Sequence, residues 1–124
     1  MIARAEMAKK RAFEAILINH KGFITEGTWT NVFIVKRKTV ITPKIGVLLG
    51  TTRDTILRLS KALFRIKLRD ITRRELVNAD ECFVTNAPRG IIPVIKIDGE
   101  KIGTGRRGPV TKHLQDEFEK RISK

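Results

Sequence analysis

The sequence predicts an α+β domain, because many short apolar segments with strand-like patterns are interrupted by only a few segments with helical periodicity. The 124 residues are enough for one compact domain. Hydrophobic residues make up 41% of the chain, which can form a buried core and argues against a disordered tail. Neither an internal repeat nor a low-complexity linker divides the chain. Residues 1–124 are therefore treated as a single domain.

The first half of the chain is predicted to consist mainly of strands. Residues 1–11 are the exception, because their alanine-rich composition favours a helix. A turn containing Gly22 separates the first two strands, and Pro43 ends the fourth. These four strands are expected over residues 13–19, 23–26, 31–36 and 39–42.

The second half alternates helices with strands. Apolar residues at helical spacing predict a helix over residues 52–64. Residues 66–71 alternate apolar and charged side chains, as in an edge strand. Thr72 and Glu75 form a capping box, which predicts the start of a short helix. The remaining predicted elements are strands over 82–85 and 91–97, a hairpin turn at Asp98-Gly99, and a last helix beginning at Pro109.

The charge of the chain is strongly positive. Lys and Arg number 26 against 13 Asp and Glu, so the formal net charge is +13. Such a surface attracts anions, including nucleic acids and phosphorylated ligands. The basic residues are dispersed, however, and no zinc-finger spacing or aromatic-rich RNA-binding strand accompanies them. We therefore interpret most of this charge as a solvated surface and regard nucleic acid as an improbable partner.

The compartment is expected to be reducing. Cys82 is the only cysteine and cannot form an internal disulfide bond. No apolar stretch approaches the roughly 20 residues that a membrane-spanning helix needs, and the first residues lack an apolar signal core. These features predict a cytoplasmic protein without a membrane segment.

Several motifs with a chemical meaning are absent or misplaced. Residues 103–108 match the glycine pattern of dinucleotide-binding loops, but the strand–helix–strand context that gives the pattern its function is missing. We interpret these glycines as a turn before the last helix. His20 and His113 have no neighbouring ligands at metal-binding spacing, so neither a metal site nor a hydrolytic triad is predicted.

Two segments remain open to a functional interpretation. In residues 48–54, Gly50 precedes Thr51 and Thr52 at a predicted helix start, where free backbone amides can bind a phosphate. The same residues can equally form an ordinary threonine cap. Glu26 lies between two apolar strands, where its carboxylate can be solvated or can hold a protonated ring nitrogen. The pattern of residues alone leaves both alternatives open.

Several motifs together resemble the class IV pyridoxal-phosphate enzymes. This family contains branched-chain and D-amino-acid aminotransferases and aminodeoxychorismate lyases. The resemblance covers nearly the whole chain, and the motifs occur in the family's order. The main matching segments are GFITEGTWTNVF (22–33), LLGTTRD (48–54), ADECFVTN (79–86) and GPVTK (108–112).

The resemblance implies a fold, a cofactor and a set of site residues. The fold would be the large C-terminal pseudo-barrel domain, and the cofactor would be pyridoxal 5'-phosphate. Glu26 would pair with the pyridine nitrogen of the cofactor, and Leu48 would pack against its ring. The phosphate would be bound by the helix start at Gly50, Thr51 and Thr52 and approached by a second loop at Asn86 and Ala87.

The resemblance also implies that this chain is one part of a catalytic unit. The N-terminal domain and the segment with the Schiff-base lysine would lie outside it, so no catalytic residue is assigned here. The implied activity is amino-group transfer from an amino acid or an amino-chorismate-like substrate, in a homo-oligomer or together with the N-terminal domain. The alternative is a basic module that uses the same fold to bind an anion or a nucleic acid.

Overall fold

The strands and helices follow the pattern of buried residues along the chain. The computed structural model describes residues 1–8, 12–27, 30–44, 51–86 and 90–122. In this part of the chain the helices are α1 Thr51–Leu63, α2 Arg73–Val77 and α3 Pro109–Ile122, and none of them is long and apolar enough to cross a membrane. The strands are β1 Ile2–Met7, β2 Phe13–Ile18, β3 Ile24–Gly27, β4 Asn31–Lys36, β5 Thr39–Thr42, β6 Arg65–Leu68, β7 Glu81–Asn86, β8 Gly90–Ile97 and β9 Glu100–Lys101.

The described strands form one sheet that curls into a pseudo-barrel. Their order is β3-β2-β1-β8-β7-β4-β5-β6, with β9 paired to β8. All pairs are antiparallel except β5 and β6, which are joined through α1. At the closure, the Ile24 N–H in β3 donates to the carbonyl oxygen of Ile71, just after β6, at 2.7 Å. Phe23 forms a β-bridge with Thr72 beside this bond. The α+β fold class and the pseudo-barrel that the resemblance implied are both confirmed.

Two apolar cores lie on opposite faces of the sheet. Val32 and Ile34 of β4 belong to the core inside the barrel. Phe33 and Val35, on the same strand, pack in the second core with α1 and α3. The Phe33 ring stacks on Phe83 of β7, with ring centroids 4.9 Å apart. One strand serves both cores because successive side chains in a strand point to opposite faces of the sheet.

The predicted helix over residues 1–11 is wrong. The described residues of this segment form strand β1, which pairs with β2 on one side and β8 on the other. Ala3, Ala5 and Met7 alternate into the barrel core and are at most 9% exposed. The local helix propensity of alanine is overridden because β1 satisfies backbone hydrogen bonds on both of its sides.

The other predicted elements are confirmed within a few residues. In the capping box, the Glu75 N–H donates to the Thr72 hydroxyl and the Thr72 N–H donates to the Glu75 carboxylate, both at 3.1 Å. Asp98 and Gly99 turn between β8 and β9 with φ values of 50° and 83°, the left-handed conformations of a tight hairpin turn. Cys82 is buried in β7 as its apolar context predicts, and this burial raises the pKa of its thiol.

A buried carboxylate holds the start of α3. The Glu81 side chain accepts hydrogen bonds from the Val110 N–H at 3.1 Å and the Thr111 N–H at 2.8 Å. A Cβ atom at Gly108 would overlap this carboxylate, so only glycine fits there. The amides at this helix start are therefore occupied by the protein itself. The glycines of residues 103–108 form the turn before α3, as predicted.

Replacing Glu81 should destabilise the fold. We expect Glu81→Ala to lower the free energy of unfolding by about 2 kcal/mol, because two buried N–H groups lose their acceptor. The urea midpoint with an unchanged slope measures this loss. Glu100→Ala is the matched control, because Glu100 is exposed and its carboxylate lies as far as 4.0 Å from the Arg73 guanidinium. It should change the free energy of unfolding by less than about 0.5 kcal/mol. Equal effects of the two substitutions would show that the Glu81 cap contributes little.

Candidate functional site

Several strand ends meet at one end of the barrel, which we call the site end. β3 finishes there at Gly27, and β4 begins there at Asn31. Asn31 pairs with Thr85 near the end of β7, and Asn86 pairs with Gly90 at the start of β8. The antiparallel register therefore brings segments distant in sequence to the same end of the barrel.

The start of α1 is fastened to this end. The Arg53 guanidinium, in the first turn of α1, donates through Nη2 to the carbonyl oxygens of Pro43 at 2.8 Å and Lys44 at 3.4 Å. These residues directly follow β5, whose last residue, Thr42, donates through its hydroxyl to the Val32 carbonyl oxygen at 2.6 Å. The helix start therefore lies beside β4 and β5 at the site end.

The electrostatics of the α1 start favour an anion. The first backbone N–H groups of a helix have no acceptor within the helix and carry the positive end of its dipole. Thr52 is partly buried and Asp54 is exposed. Arg53 adds a full positive charge, and its buried Nε has no acceptor among the described residues. A phosphate or carboxylate at this helix start would be stabilised by both the amides and the charge.

A carboxylate from β2 anchors the entry into β4. The Thr30 hydroxyl donates to Glu14 Oε2 at 3.0 Å, and the Ala15 N–H donates to Glu14 Oε1 at 2.9 Å. Thr30 is 3% exposed. The sequence analysis assigned no role to either residue. The strand pattern nevertheless indicates Glu14, because it lies on the same face of β2 as the buried Ile16 and Ile18, where an apolar residue is expected.

The comparison with known proteins decides the family. The family model described as "Amino-transferase class IV" matches residues 1–97 of this chain. The chain belongs to the class IV aminotransferase family.

Relatives within this family carry several names. The chain is 40% identical over 120 residues to a branched-chain-amino-acid aminotransferase of Pseudomonas aeruginosa, covering 95% of this chain and 39% of that enzyme. It is also 40% identical over 114 residues to a D-alanine aminotransferase of Bacillus licheniformis, covering 90% of this chain and 40% of that enzyme. The chain thus spans about two fifths of the length of these curated relatives.

Solved structures of class IV aminotransferases have the same fold. A branched-chain amino acid aminotransferase from Thermobaculum terrenum in its PLP-form superimposes with a TM-score of 0.82 at 33% identity, over 88% of this chain and 37% of that one. The branched-chain amino acid aminotransferase from Escherichia coli gives a TM-score of 0.82 at 37% identity, over 90% of this chain and 39% of that one.

The residues that the class IV resemblance singled out fall into two groups. Four lie in described elements at or near the site end: Glu26 in β3, Thr51 and Thr52 at the start of α1, and Asn86 at the end of β7. The other three, Leu48, Gly50 and Ala87, lie outside the described residues. Glu26 pairs through its backbone with Leu17 of β2. The fold therefore brings the described members of the predicted site to one end of the barrel.

Proposed function

We propose that this chain is the cofactor-binding part of a pyridoxal-phosphate-dependent aminotransferase acting on amino acids. The observation that supports this proposal is the convergence of β3, the α1 start and the end of β7 at one end of a class IV pseudo-barrel. These elements contain a carboxylate, the backbone amides of a helix start and an asparagine from three distant parts of the sequence. An enzyme that holds a phosphorylated aromatic cofactor needs these groups together.

The phosphate group is assigned to the start of α1. The backbone amides at Thr51 and Thr52 and the Thr52 hydroxyl would donate to the phosphate oxygens. The residues fit this group, since a buried guanidinium nitrogen of Arg53 lies at the helix start without an acceptor among the described residues. We assign Gly50 to the tight turn before the helix, which lets the backbone approach the phosphate.

The ring of the cofactor is assigned to Glu26 and Leu48. The Glu26 carboxylate would accept a charge-assisted hydrogen bond from the protonated ring nitrogen, and Leu48 would pack on the ring face. Asn86 and Ala87 are assigned to the loop that approaches the phosphate from the β7 side. When bound, pyridoxal phosphate supplies the electron sink for bonds to the substrate α-carbon. The residues of this chain bind and orient the cofactor and keep its ring nitrogen protonated.

The substrate is proposed to be an amino acid. The relatives named above include branched-chain and D-alanine aminotransferases, so a small aliphatic amino acid is the substrate class that we assign. The covalent lysine and further substrate contacts are proposed to come from the part of the relatives' length that this chain does not span. Assembly as a homo-oligomer or with that part would complete the catalytic unit.

Thr52→Ala should weaken cofactor binding. Pyridoxamine 5'-phosphate is the suitable probe, because it has no aldehyde that could react with surface lysines. Loss of the hydroxyl donor should raise the dissociation constant about fivefold or more, which corresponds to about 1 kcal/mol. Isothermal titration calorimetry measures the constant, and Thr104→Ala on an exposed turn is the control. Equal binding by the unchanged chain and both variants would contradict the assignment of the phosphate to α1. If the chain also bound nucleic acid, and both affinities fell steeply with salt concentration, the basic anion-binding module would be favoured.

Glu26→Gln should affect the ring and spare the phosphate. A neutral amide no longer stabilises the protonated ring nitrogen, so the pKa of that nitrogen in the bound cofactor should fall. Absorbance of bound pyridoxamine 5'-phosphate against pH measures this, with the exposed Glu100→Gln as control. At a pH where the ring nitrogen is neutral, the dissociation constant should change by less than about threefold, because the phosphate contacts remain and no charge-assisted bond to Glu26 is lost. An unchanged pH profile would overturn the role of Glu26.

A further inference from the structure

A cleft opens at the end of the barrel opposite the site end. Its volume is about 270 Å³, near the lower limit of sites that bind small organic molecules. Ile34 of β4 and Ile41 of β5 contribute its apolar floor, and both side chains are at most 4% exposed. The cleft extends from Lys36 at the end of β4, past the paired Ile34 and Ile41, to Arg69 after β6, and no residue of α1 lines it.

The rim of the cleft is cationic. Lys36, Arg69 and Arg74 come from β4, the segment after β6, and α2. The one acidic residue at the rim, Glu75, is already engaged, with its carboxylate 2.7 Å from Arg69 Nη1 and bound by the Thr72 N–H at 3.1 Å. The rim therefore has an excess of positive charge facing an apolar floor.

Arg74 is the cation available to a ligand. Lys36 Nζ already donates to the Asn78 carbonyl oxygen at 2.9 Å and lies 3.5 Å from Asp80 Oδ1. The guanidinium of Arg74 is exposed, and no described residue accepts a hydrogen bond from it. A planar guanidinium in this state can bind a carboxylate through two parallel hydrogen bonds.

The turn that follows Lys36 contains two further basic residues. Arg37 and Lys38, between β4 and β5, have φ values of 50° and 63°. Asn and Gly adopt these left-handed conformations far more readily than long side chains do. The Arg37 N–H donates to Asp80 Oδ2 at 2.8 Å, which holds the turn in place. These two basic residues add positive charge near Lys36 in sequence, although they do not line the cleft.

We propose that this cleft binds a small aliphatic carboxylate that lacks an amino group. The carboxylate would pair with Arg74, and the aliphatic body would cover Ile34 and Ile41. The apolar floor disfavours inorganic phosphate, which has no apolar surface to bury. An amino acid is disfavoured because its ammonium group would meet a cationic rim whose only carboxylate is already paired. This site is independent of the proposed cofactor site, and either can exist without the other.

Titration with hexanoate tests the proposal. In the 15N-labelled chain, hexanoate should shift the amide signals of residues around the cleft, such as Ile34, Ile41 and Asn78, and leave the α1 start unchanged. Norleucine has the same skeleton with an added amino group, and hexan-1-ol has it without the charge. Both should bind at least about tenfold more weakly than hexanoate. Norleucine brings an ammonium group to a cationic rim, and hexan-1-ol has no carboxylate to pair with Arg74. Shifts confined to other regions, or equal binding of hexan-1-ol, would overturn the proposal.

A pair of arginine variants locates the carboxylate. Arg74→Ala should weaken hexanoate binding about tenfold, the loss expected for one charge-assisted pair. Arg58→Ala is the matched control, because it removes one exposed guanidinium from the outer helix α1 and changes the net charge equally. Both substitutions keep good helix formers in exposed helical positions, and the amide spectrum verifies the fold. Equal weakening by both variants would mean that only the net charge attracts hexanoate, which would contradict binding in the cleft.

Discussion

The short connection between β3 and β4 is the constraint on which the rest of the structure depends. The sheet order places five inter-strand steps between these strands, which would separate them by about 24 Å in a flat sheet. The four residue steps from Gly27 to Asn31 can reach at most about 14 Å. A flat sheet is therefore impossible, and the sheet must curl. The hydrogen bond from Ile24 to Ile71 then closes the barrel.

Closure of the barrel creates two chemically different ends. At the site end, the strand termini leave room for the positive start of α1, and the Arg53 guanidinium fastens this helix to the segment after β5. At the opposite end, the turns and α2 surround an apolar cleft with arginine and lysine side chains. The start of α3 is another source of helix amides, but the Glu81 carboxylate already accepts hydrogen bonds from two of them. We therefore propose the α1 start, and not the α3 start, as the site for an anionic ligand.

Much of the fold could be predicted from local patterns. Alternation of apolar and polar residues identified the buried strands. The capping box of Thr72 marked the start of α2, and Pro109 marked the start of α3, because these signals depend only on nearby residues. The helix predicted over residues 1–11 failed because β1 is stabilised by β2 and β8, which are distant in sequence. Ala3, Ala5 and Met7 do alternate with Arg4 and Glu6, as in a strand, but the strands that stabilise this conformation lie far away in the sequence.

The candidate site was less predictable from the residues alone. The residues alone left the roles of Glu26 and Thr52 open, because a carboxylate in a strand and a threonine at a helix start are common without any ligand. Asn86 was selected only through the family resemblance. The contact between Glu14 and Thr30 was missed because it joins β2 to the residue before β4 through side chains that are distant in sequence. The alternation of β2 alone shows that a polar group faces inward there, without revealing its partner.

We propose that the start of α1 is the anion site of this barrel. The most direct measurement is a titration of the 15N-labelled chain with pyridoxamine 5'-phosphate, followed by amide chemical shifts. We expect the largest shifts at Thr52, Arg53 and Asn86, while the signals of Val110 and Thr111 at the capped start of α3 remain unchanged. Shifts distributed over the basic surface, or shifts at α3 as large as those at α1, would contradict it.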